Sequence, residues 1–366
     1  MEKTIKGKLG FGCMRLPQVG EEVNHEVFSA MIDEFLKAGF NYFDTAKVYL
    51  GGKSETALRE CLTKRYPRED YILTDKLTFW CIDGKDSIRP FFESQLEALG
   101  VDYLDYYLFH ALNRERYEKL KEIDAFSVVR ALRDEGKIKH IGLSFHDTAD
   151  VLDLILSEEA DIEVVQLQIN YLDYDDPGIQ SKACYDVAVK HGKKVIVMEP
   201  VKGGVLAKLP PRASKLLSTL GDGSEASFAL RFAAGFPEVV TVLSGMGDMD
   251  MMKDNISTFT HLYPFSDSEN EVIAKVRSLI REENLIPCTG CNYCGEECPK
   301  EIPIPKVFAA LNRVTLAEVT RAEAKTTIPT DKGLPSDCIG CGACEGVCPQ
   351  GIKVRGLVES AAKKFK

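Results

Sequence analysis

Asn41-Tyr-Phe-Asp-Thr-Ala-Lys-Val-Tyr49, running on to Ser54-Glu55, decides how the rest of the chain is read. Tyr42, Phe43, Thr45 and Val48 favour a strand. The run before them, 24–39, sets Phe28, Met31, Ile32 and Phe35 along one helical face and stops at Gly39. A helix feeding a short strand puts Asp44 at the strand's C-terminal end and Tyr49 in the loop beyond it.

The same alternation extends in both directions. Leu9 to Met14 reads as a first strand. Ser54 is expected to cap a helix over 54–64. Strands are expected at 71–77, 103–110, 138–144, 164–170, 194–198 and 239–244. Helices are expected between them at 87–99, 116–135, 148–156, 180–191, 224–234 and 249–260, with Gly100, Gly136 and Gly192 as stops. Residues 201–223, rich in Gly, Pro and Lys, read as a long loop.

Eight strand–helix pairs predict an α/β fold of the (β/α)8 TIM barrel type over 1–264. An open doubly wound sheet is the competing reading, but no Gly-x-Gly-x-x-Gly turn follows any strand. In a barrel the functional groups sit at the C-terminal strand ends. Asp44, Lys76, His110, Ser144, Gln166, Met198 and Ser244 all fall near such ends.

At 366 residues the chain exceeds a barrel of about 250 residues and has room for a second module. The formal net charge of -10 argues against nucleic acid and anionic membrane as partners. No apolar N-terminal stretch predicts a signal peptide and no run is long enough to span a bilayer, so a cytoplasmic location is expected.

Eight of the 12 cysteines lie beyond residue 285, in two groups. Grouped cysteines in such a chain read as metal ligands, not disulfides. Cys288-x-x-Cys291-x-x-Cys294-x-x-x-Cys298-Pro299 recurs as Cys338-x-x-Cys341-x-x-Cys344-x-x-x-Cys348-Pro349. Each run has the full spacing for a [4Fe–4S] cluster, in which three thiolates wrap one cube and the fourth ligates its neighbour. The expected sets are Cys288, Cys291 and Cys294 with Cys348, and Cys338, Cys341 and Cys344 with Cys298. Two zinc knuckles are the bland alternative, made improbable by two complete copies. With helices expected at 267–284 and 306–325, residues 265–366 look like a smaller, mostly helical dicluster ferredoxin. Acidic and basic residues balance from Ser266 onward, so the negative excess belongs to the barrel.

Asp44, Tyr49, Lys76 and His110 resemble the catalytic tetrad of the aldo-keto reductase family in order, spacing and strand position. Asp44-Thr-Ala, Ser54-Glu55, Tyr107-Leu-Phe-His110, Ile141-Gly-Leu-Ser144 and Asp254-Asn255 also fit, so the resemblance covers about residues 5–262. With its tail the chain looks like the iron–sulfur branch of that family. The resemblance implies carbonyl reduction, or alcohol oxidation, with a nicotinamide hydride donor and Tyr49 as proton donor. A free Tyr has a pKa of about 10, and a nearby Lys76 ammonium is expected to lower it. Asp44 would hold Lys76 in place, and His110 would orient the carbonyl oxygen.

The implied cofactor contacts are Ser144 and Gln166 for the carboxamide, Met198 against the nicotinamide ring, and Ser244, Gly245 and Met246 in the phosphate loop. Asn255 matches an adenine contact. Phe145 stands where an Asn usually follows the Ser. Gly245 and Met251 replace the cations that usually grip a 2′-phosphate, which leaves both NAD(H) and NADP(H) open. The bland reading, in which these residues only close the mouth, holds most weight for Met198 and Met246.

Two functions follow. One is an oxidoreductase acting on a small-molecule carbonyl or alcohol, with the clusters exchanging electrons with a redox partner protein such as ferredoxin. A hydride carries two electrons and a cluster one, so a flavin adapter stays open. The other is an electron-transfer module whose barrel no longer turns over nicotinamide.

Overall fold

The computed structural model describes residues 4–365. The chain forms two compact units. One holds the chain up to Pro200 together with Ser227–Phe265, and the other holds Val201–Ala226 and the chain from Ser266 onward.

In the first unit, β1 (Leu9–Gly12) leads to a small hairpin, β2 (Gln18–Val19) and β3 (Glu22–Val23), which lacks any alternating pattern to announce it. Then α1 (His25–Lys37), β4 (Tyr42–Asp44), α2 (Lys53–Leu58), β5 (Ile72–Leu77), α3 (Lys85–Leu99) and β6 (Leu104–Leu112) follow. Next come α4 (Arg114–Glu122), α5 (Ala125–Asp134), β7 (Ile138–Phe145), α6 (Ala149–Glu158), β8 (Val164–Gln168), α7 (Ser181–Lys190) and β9 (Lys194–Met198). In the second unit, α8 (Pro211–Leu217) interrupts the series; α9 (Glu225–Ala234) starts at the end of that excursion, and β10 (Val239–Ser244) and α10 (Met249–Thr260) complete the first unit.

All strands but β2 and β3 are parallel and close into a barrel in the order β1-β10-β9-β8-β7-β6-β5-β4. Both faces of such strands are covered, so they read as apolar runs with little alternation. Every residue of β5 and of β8 is buried. Tyr42, Ile72, Leu108, Val164, Ile196 and Leu243, one from each of six barrel strands, pack together in one buried cluster. Gly142 on β7 makes that packing fit: a Cβ there would stand 2.5 Å from Val164 Cγ2 and 2.6 Å from Leu108 Cδ2.

Two local expectations give way. Ser54 does not cap a helix, for its Oγ donates to Cys13 O at 2.8 Å and sits 2.8 Å from Thr45 Oγ1. A buried hydroxyl between two strand ends is worth more there than on an exposed N-terminus. The helix expected over 116–135 is two helices, broken at Asp124 (φ 55°). α4 starts earlier than expected because Asn113 Oδ1 caps it, accepting from Arg116 N–H.

The second unit includes α11 (Asp267–Glu282), α12 (Tyr293–Glu296), α13 (Ile304–Thr315), α14 (Arg321–Thr326), α15 (Ala343–Gly346) and α16 (Val354–Lys364). The expected loop 201–223 is ordered structure here, with α8 and flanking 3-10 turns. It joins the cysteine segment closely: Lys202 Nζ donates to Gln350 Oε1 at 3.2 Å, and Arg212 pairs with Glu282 at 2.9 Å. A Cβ on Gly203 would stand 2.2 Å from Thr289 O, so only glycine admits that approach. The single helix expected over 306–325 is α13 and α14. Ala317 adopts φ 53°, and Thr320 restarts the helix in a capping box with Glu323.

The two cysteine runs repeat in backbone as well as in sequence. Gly290 and Gly340 both have φ 71°, and Asn292 and Gly342 both sit in the left-handed region. Each run then makes a short helix, α12 or α15, and leads into a longer one, α13 or α16. Val307, Phe308, Leu311, Val354, Val358 and Ala361 of those longer helices share one core with Cys294 and Cys344.

Candidate active site and cysteine cavities

The barrel closes β4 beside β5, and this adjacency assembles the mouth. Asp44 is the last residue of β4, and Lys76 lies one residue before the end of β5. Lys76 is wholly buried and its Nζ donates to Asp44 Oδ1 at 2.6 Å and to Thr45 O at 2.7 Å. The other Asp44 oxygen accepts from Gln166 Nε2 at 3.1 Å. Burial pushes the Asp44 carboxyl upward, and Lys76 opposes it.

Tyr49 sits five residues beyond Asp44, with its ring 4.8 Å from Lys76 Nζ and 6.1 Å from the His110 ring, edge to face. The expectation that Lys76 lowers the Tyr49 pKa does not describe this environment. Burial holds the phenol well above its usual value, with Asp44 and Asp75 adding to it. The ammonium faces the ring and is committed to Asp44 and Thr45. Burial also holds His110 well below the usual imidazole value, with the Lys76 charge adding to the effect, so the ring is neutral. His110 Nδ1 lies 2.9 Å from Thr78 Oγ1.

The remaining mouth residues form a second group. Ser144 and Gln166 are direct register partners on β7 and β8. Ser144 Oγ accepts from Ala111 N–H at 2.6 Å, next to His110. Met198 ends β9, half-buried. Ser244 ends β10, and its Oγ accepts from Asn255 Nδ2 at 2.7 Å. Met246 is fully buried. Met251 is half-exposed, and its sulfur accepts from Gly247 N–H at 3.5 Å.

Three residues were missed in the sequence. Trp80, the only tryptophan, lies 5.2 Å from the His110 ring. Arg116 stacks on Trp80 at 4.9 Å. Arg15 packs beside Gly245, where a Cβ would meet its side chain at 3.4 Å, and pairs with Glu199 at 3.7 Å. Their positions just beyond β1, β5 and β6, Arg116 in the first turn of α4, were the available signal, since barrel chemistry gathers there. Lys202, by contrast, is buried in the second unit.

In the second unit, Cys288, Cys291, Cys294 and Cys348 line one cavity. Cys298, Cys338, Cys341 and Cys344 line another. Each cavity thus gathers three thiols from one run and one from the other. The first has no charged lining residue, whereas Lys300 and Arg355 line the second. A four-thiol cavity with apolar walls fits a [4Fe–4S] cube, whose thiolate-ligated form is anionic.

Two family models match the chain. The model of the Aldo/keto reductase family matches residues 8–278. The chain belongs to the aldo/keto reductase family. The model of the 4Fe-4S dicluster domain matches residues 287–352. The chain is 32% identical to an aldo-keto reductase of Mycolicibacterium smegmatis over 204 residues, 56% of this chain and 67% of that protein. The holo form of aldo-keto reductase AKR11C1 from Bacillus halodurans superposes with a TM-score of 0.60 at 26% identity, covering 75% of this chain and 96% of that one. An aldo-keto reductase from Klebsiella pneumoniae, solved in complex with NADPH, has a TM-score of 0.58 at 18% identity, over 76% and 95%. This aldo/keto reductase is therefore an oxidoreductase with a TIM barrel and a dicluster domain. No helix among the described residues is long and apolar enough to cross a membrane.

Proposed function

We propose that this oxidoreductase reduces a small-molecule carbonyl, or oxidises the matching alcohol, with a nicotinamide dinucleotide at the barrel mouth. The observation that carries this reading is the wholly buried Lys76–Asp44 pair, 2.6 Å long, under the Tyr49 ring. Burying two charges is costly unless each is fully partnered, and a fold keeps such a pair where chemistry needs it.

A bound nicotinamide would supply the hydride; the Klebsiella pneumoniae aldo-keto reductase was solved in complex with such a nucleotide, NADPH. This chain's residues do the rest. Tyr49 keeps its proton because burial disfavours the phenolate. It delivers that proton to the alkoxide oxygen formed as hydride arrives, and an alkoxide is far more basic than a phenolate. Lys76, held by Asp44 and Thr45 O with its Nζ 4.8 Å from the Tyr49 ring, fixes the floor beneath that ring. His110, neutral, orients the carbonyl oxygen. The tautomer that serves this role carries its proton on Nε2 and accepts at Nδ1 from Thr78 Oγ1, 2.9 Å away. Ser144 and Gln166 hold the carboxamide, and Ser244, Gly245, Met246 and Asn255 form the phosphate and adenine side.

The eight cysteines hold two [4Fe–4S] clusters in the crossed sets that line the two cavities. Such clusters pass single electrons, which suits a small redox protein such as ferredoxin as partner. An electron-transfer reading, with a flavin or no nicotinamide turnover in the barrel, draws on the missing cations at Gly245 and Met251. Anaerobic assay of NADH and NADPH oxidation against a panel of aldehydes and ketones separates the two. Turnover supports the reductase, and its absence with a flavin found by absorbance supports the alternative.

A further inference from the structure

Behind the mouth, on the outer side of β5, two carboxyl groups are buried together. Glu55 comes from α2 and Asp75 from β5, and neither has any solvent exposure. Each has one oxygen engaged. Glu55 Oε2 takes Lys47 Nζ at 3.1 Å, and Asp75 Oδ1 takes the Lys76 N–H at 2.7 Å. Among the described residues the other two oxygens, Glu55 Oε1 and Asp75 Oδ2, have no hydrogen-bond partner, although the Gln95 side chain also stands close to Glu55. The two side chains stand within hydrogen-bonding reach of one another. Two ionised carboxylates offer only acceptors and repel. A single proton between them converts the contact to O–H···O⁻ and satisfies both oxygens.

The location gives the pair a task. β4 ends at Asp44, opposite Thr74 of β5. On that side Ile72 N–H donates to Asn41 O, and Thr74 O accepts from Thr45 N–H. Alternate residues of a strand present their N–H and C=O to the same neighbour. Lys76 therefore turns both groups to the side where β4 has already ended. Its N–H goes to Asp75 Oδ1, and its C=O accepts from Gln95 Nε2 at 3.1 Å. Tyr107 O–H donates to Gln95 Oε1 at 2.7 Å and fixes that amide in turn.

We propose that Glu55 and Asp75 share one proton, and that this acid pair, with Gln95, positions Lys76 by replacing the missing strand. The catalytic consequence rests on the tetrad reading above, whereas the shared proton does not. The groups facing the pair are Lys47 on Glu55, Lys76 beyond the strand, and the phenols of Tyr107 and Tyr49; Asp44 lies past Lys76. Burial, reinforced by Glu55, holds Asp75 well above the usual carboxylate value. Glu55 is raised by burial too, with Lys47 opposing. The unfolded chain releases such a proton near pH ~4, so the pair's contribution to stability is complete below that and falls as pH rises through the folded value.

Infrared spectroscopy of the full cluster-loaded chain at neutral pH tests the proton directly. A protonated-carboxyl C=O band is expected, absent in both Asp75→Asn and Glu55→Gln. Asn at 75 retains an oxygen for Lys76 N–H and gives Glu55 a donor without needing a proton. Unfolding followed by Trp80 fluorescence should therefore show Asp75→Asn gaining on the wild type as pH rises from about 5 to about 9. Asp75→Ala should lower kcat roughly tenfold, about one hydrogen bond's worth, with KM little changed, and Asp75→Asn should restore it. A missing band at neutral pH, or a stability difference flat with pH, overturns the shared proton. Full kcat in Asp75→Ala overturns the positioning role if Tyr49→Phe is inactive. If Tyr49→Phe is also fully active, it is the tetrad reading that fails, and the infrared and stability arms still decide the proton.

Discussion

The barrel mouth and the cysteine unit hold their reactive groups by opposite means. At the mouth each buried charge meets a partner that the fold supplies: Lys76 has Asp44 and Thr45 O, and Asp44 has Gln166 besides. That geometry stands on protein contacts alone. In the cysteine unit eight thiols are aimed into two cavities, and two of them, Cys294 and Cys344, belong to the unit's own core. Only a metal centre ties four thiols to each other. The barrel is thus preorganised for its ligand, while the cysteine unit is expected to fold with its ligand, where binding energy is also folding energy.

The largest expected effect probes that contrast. Anaerobic preparation should give about eight iron and eight sulfide per chain, and Cys294→Ser should lose roughly half. Stripping the iron with a chelator should unfold α12, α13, α15 and α16, measured by loss of helical circular dichroism. Trp80 fluorescence, which reports the barrel, should stay unchanged. Stoichiometric zinc with no broad visible absorption would refute the cluster reading.

Tyr49→Phe strikes the preorganised side. The phenol is needed only as an acid during reaction, so kcat should fall by about 10²–10⁴ while nicotinamide affinity holds. Carbonyl reduction near the unmodified rate in Tyr49→Phe would remove Tyr49 from the mechanism.

Lys76→Met tests whether the mouth's partners are as self-contained as they look. It leaves Asp44 buried with only Gln166, and breaking a buried pair from one side costs about 3–5 kcal/mol. The barrel transition seen by Trp80 should drop accordingly, and adding Asp44→Asn should recover most of the loss. No recovery in the double variant would mean that Lys76 acts through packing rather than charge.

The contrast also explains what could be read from the sequence. The cysteine sets were legible because their ligand spacing is local and chemically constrained. The barrel was legible from its alternating strands and helices, and Asp44, Lys76 and His110 from their places at strand ends. Arg15, Trp80 and Arg116 were not, because the neighbours of residues beyond the strand ends are set by barrel closure rather than by spacing. Ser54 misled for a related reason. Its hydroxyl suits an N-cap, but tertiary contacts to Cys13 and Thr45 outbid a local one. The order in 201–226 was hidden because its partners, Thr289, Glu282 and Gln350, lie far along the chain.

The smallest expected effect concerns which nucleotide the mouth prefers. On the proposed function, Gly245, which carries no side chain, and the half-exposed thioether of Met251 stand where a cation would hold a 2′-phosphate. A hydrogen bond to a charged group contributes about 1.5–3 kcal/mol, tenfold or more in affinity. Without two such contacts, NADH should bind at least as well as NADPH. Met251→Arg should shift the ratio toward NADPH by roughly tenfold, since the side chain at that position already reaches solvent. Arg15 is the cation that the structure sets beside Gly245, held by Glu199 at 3.7 Å. Its place at the loop, common to both nucleotides, predicts that Arg15→Ala weakens NADH and NADPH alike and leaves their ratio unchanged. Trp80 fluorescence titrations of both nucleotides at one salt concentration measure all three outcomes. Strong NADPH preference in the unmodified protein, lost selectively in Arg15→Ala, would make Arg15 the 2′-phosphate ligand and would mean that a residue from the loop after β1 had replaced the cations missing after β10.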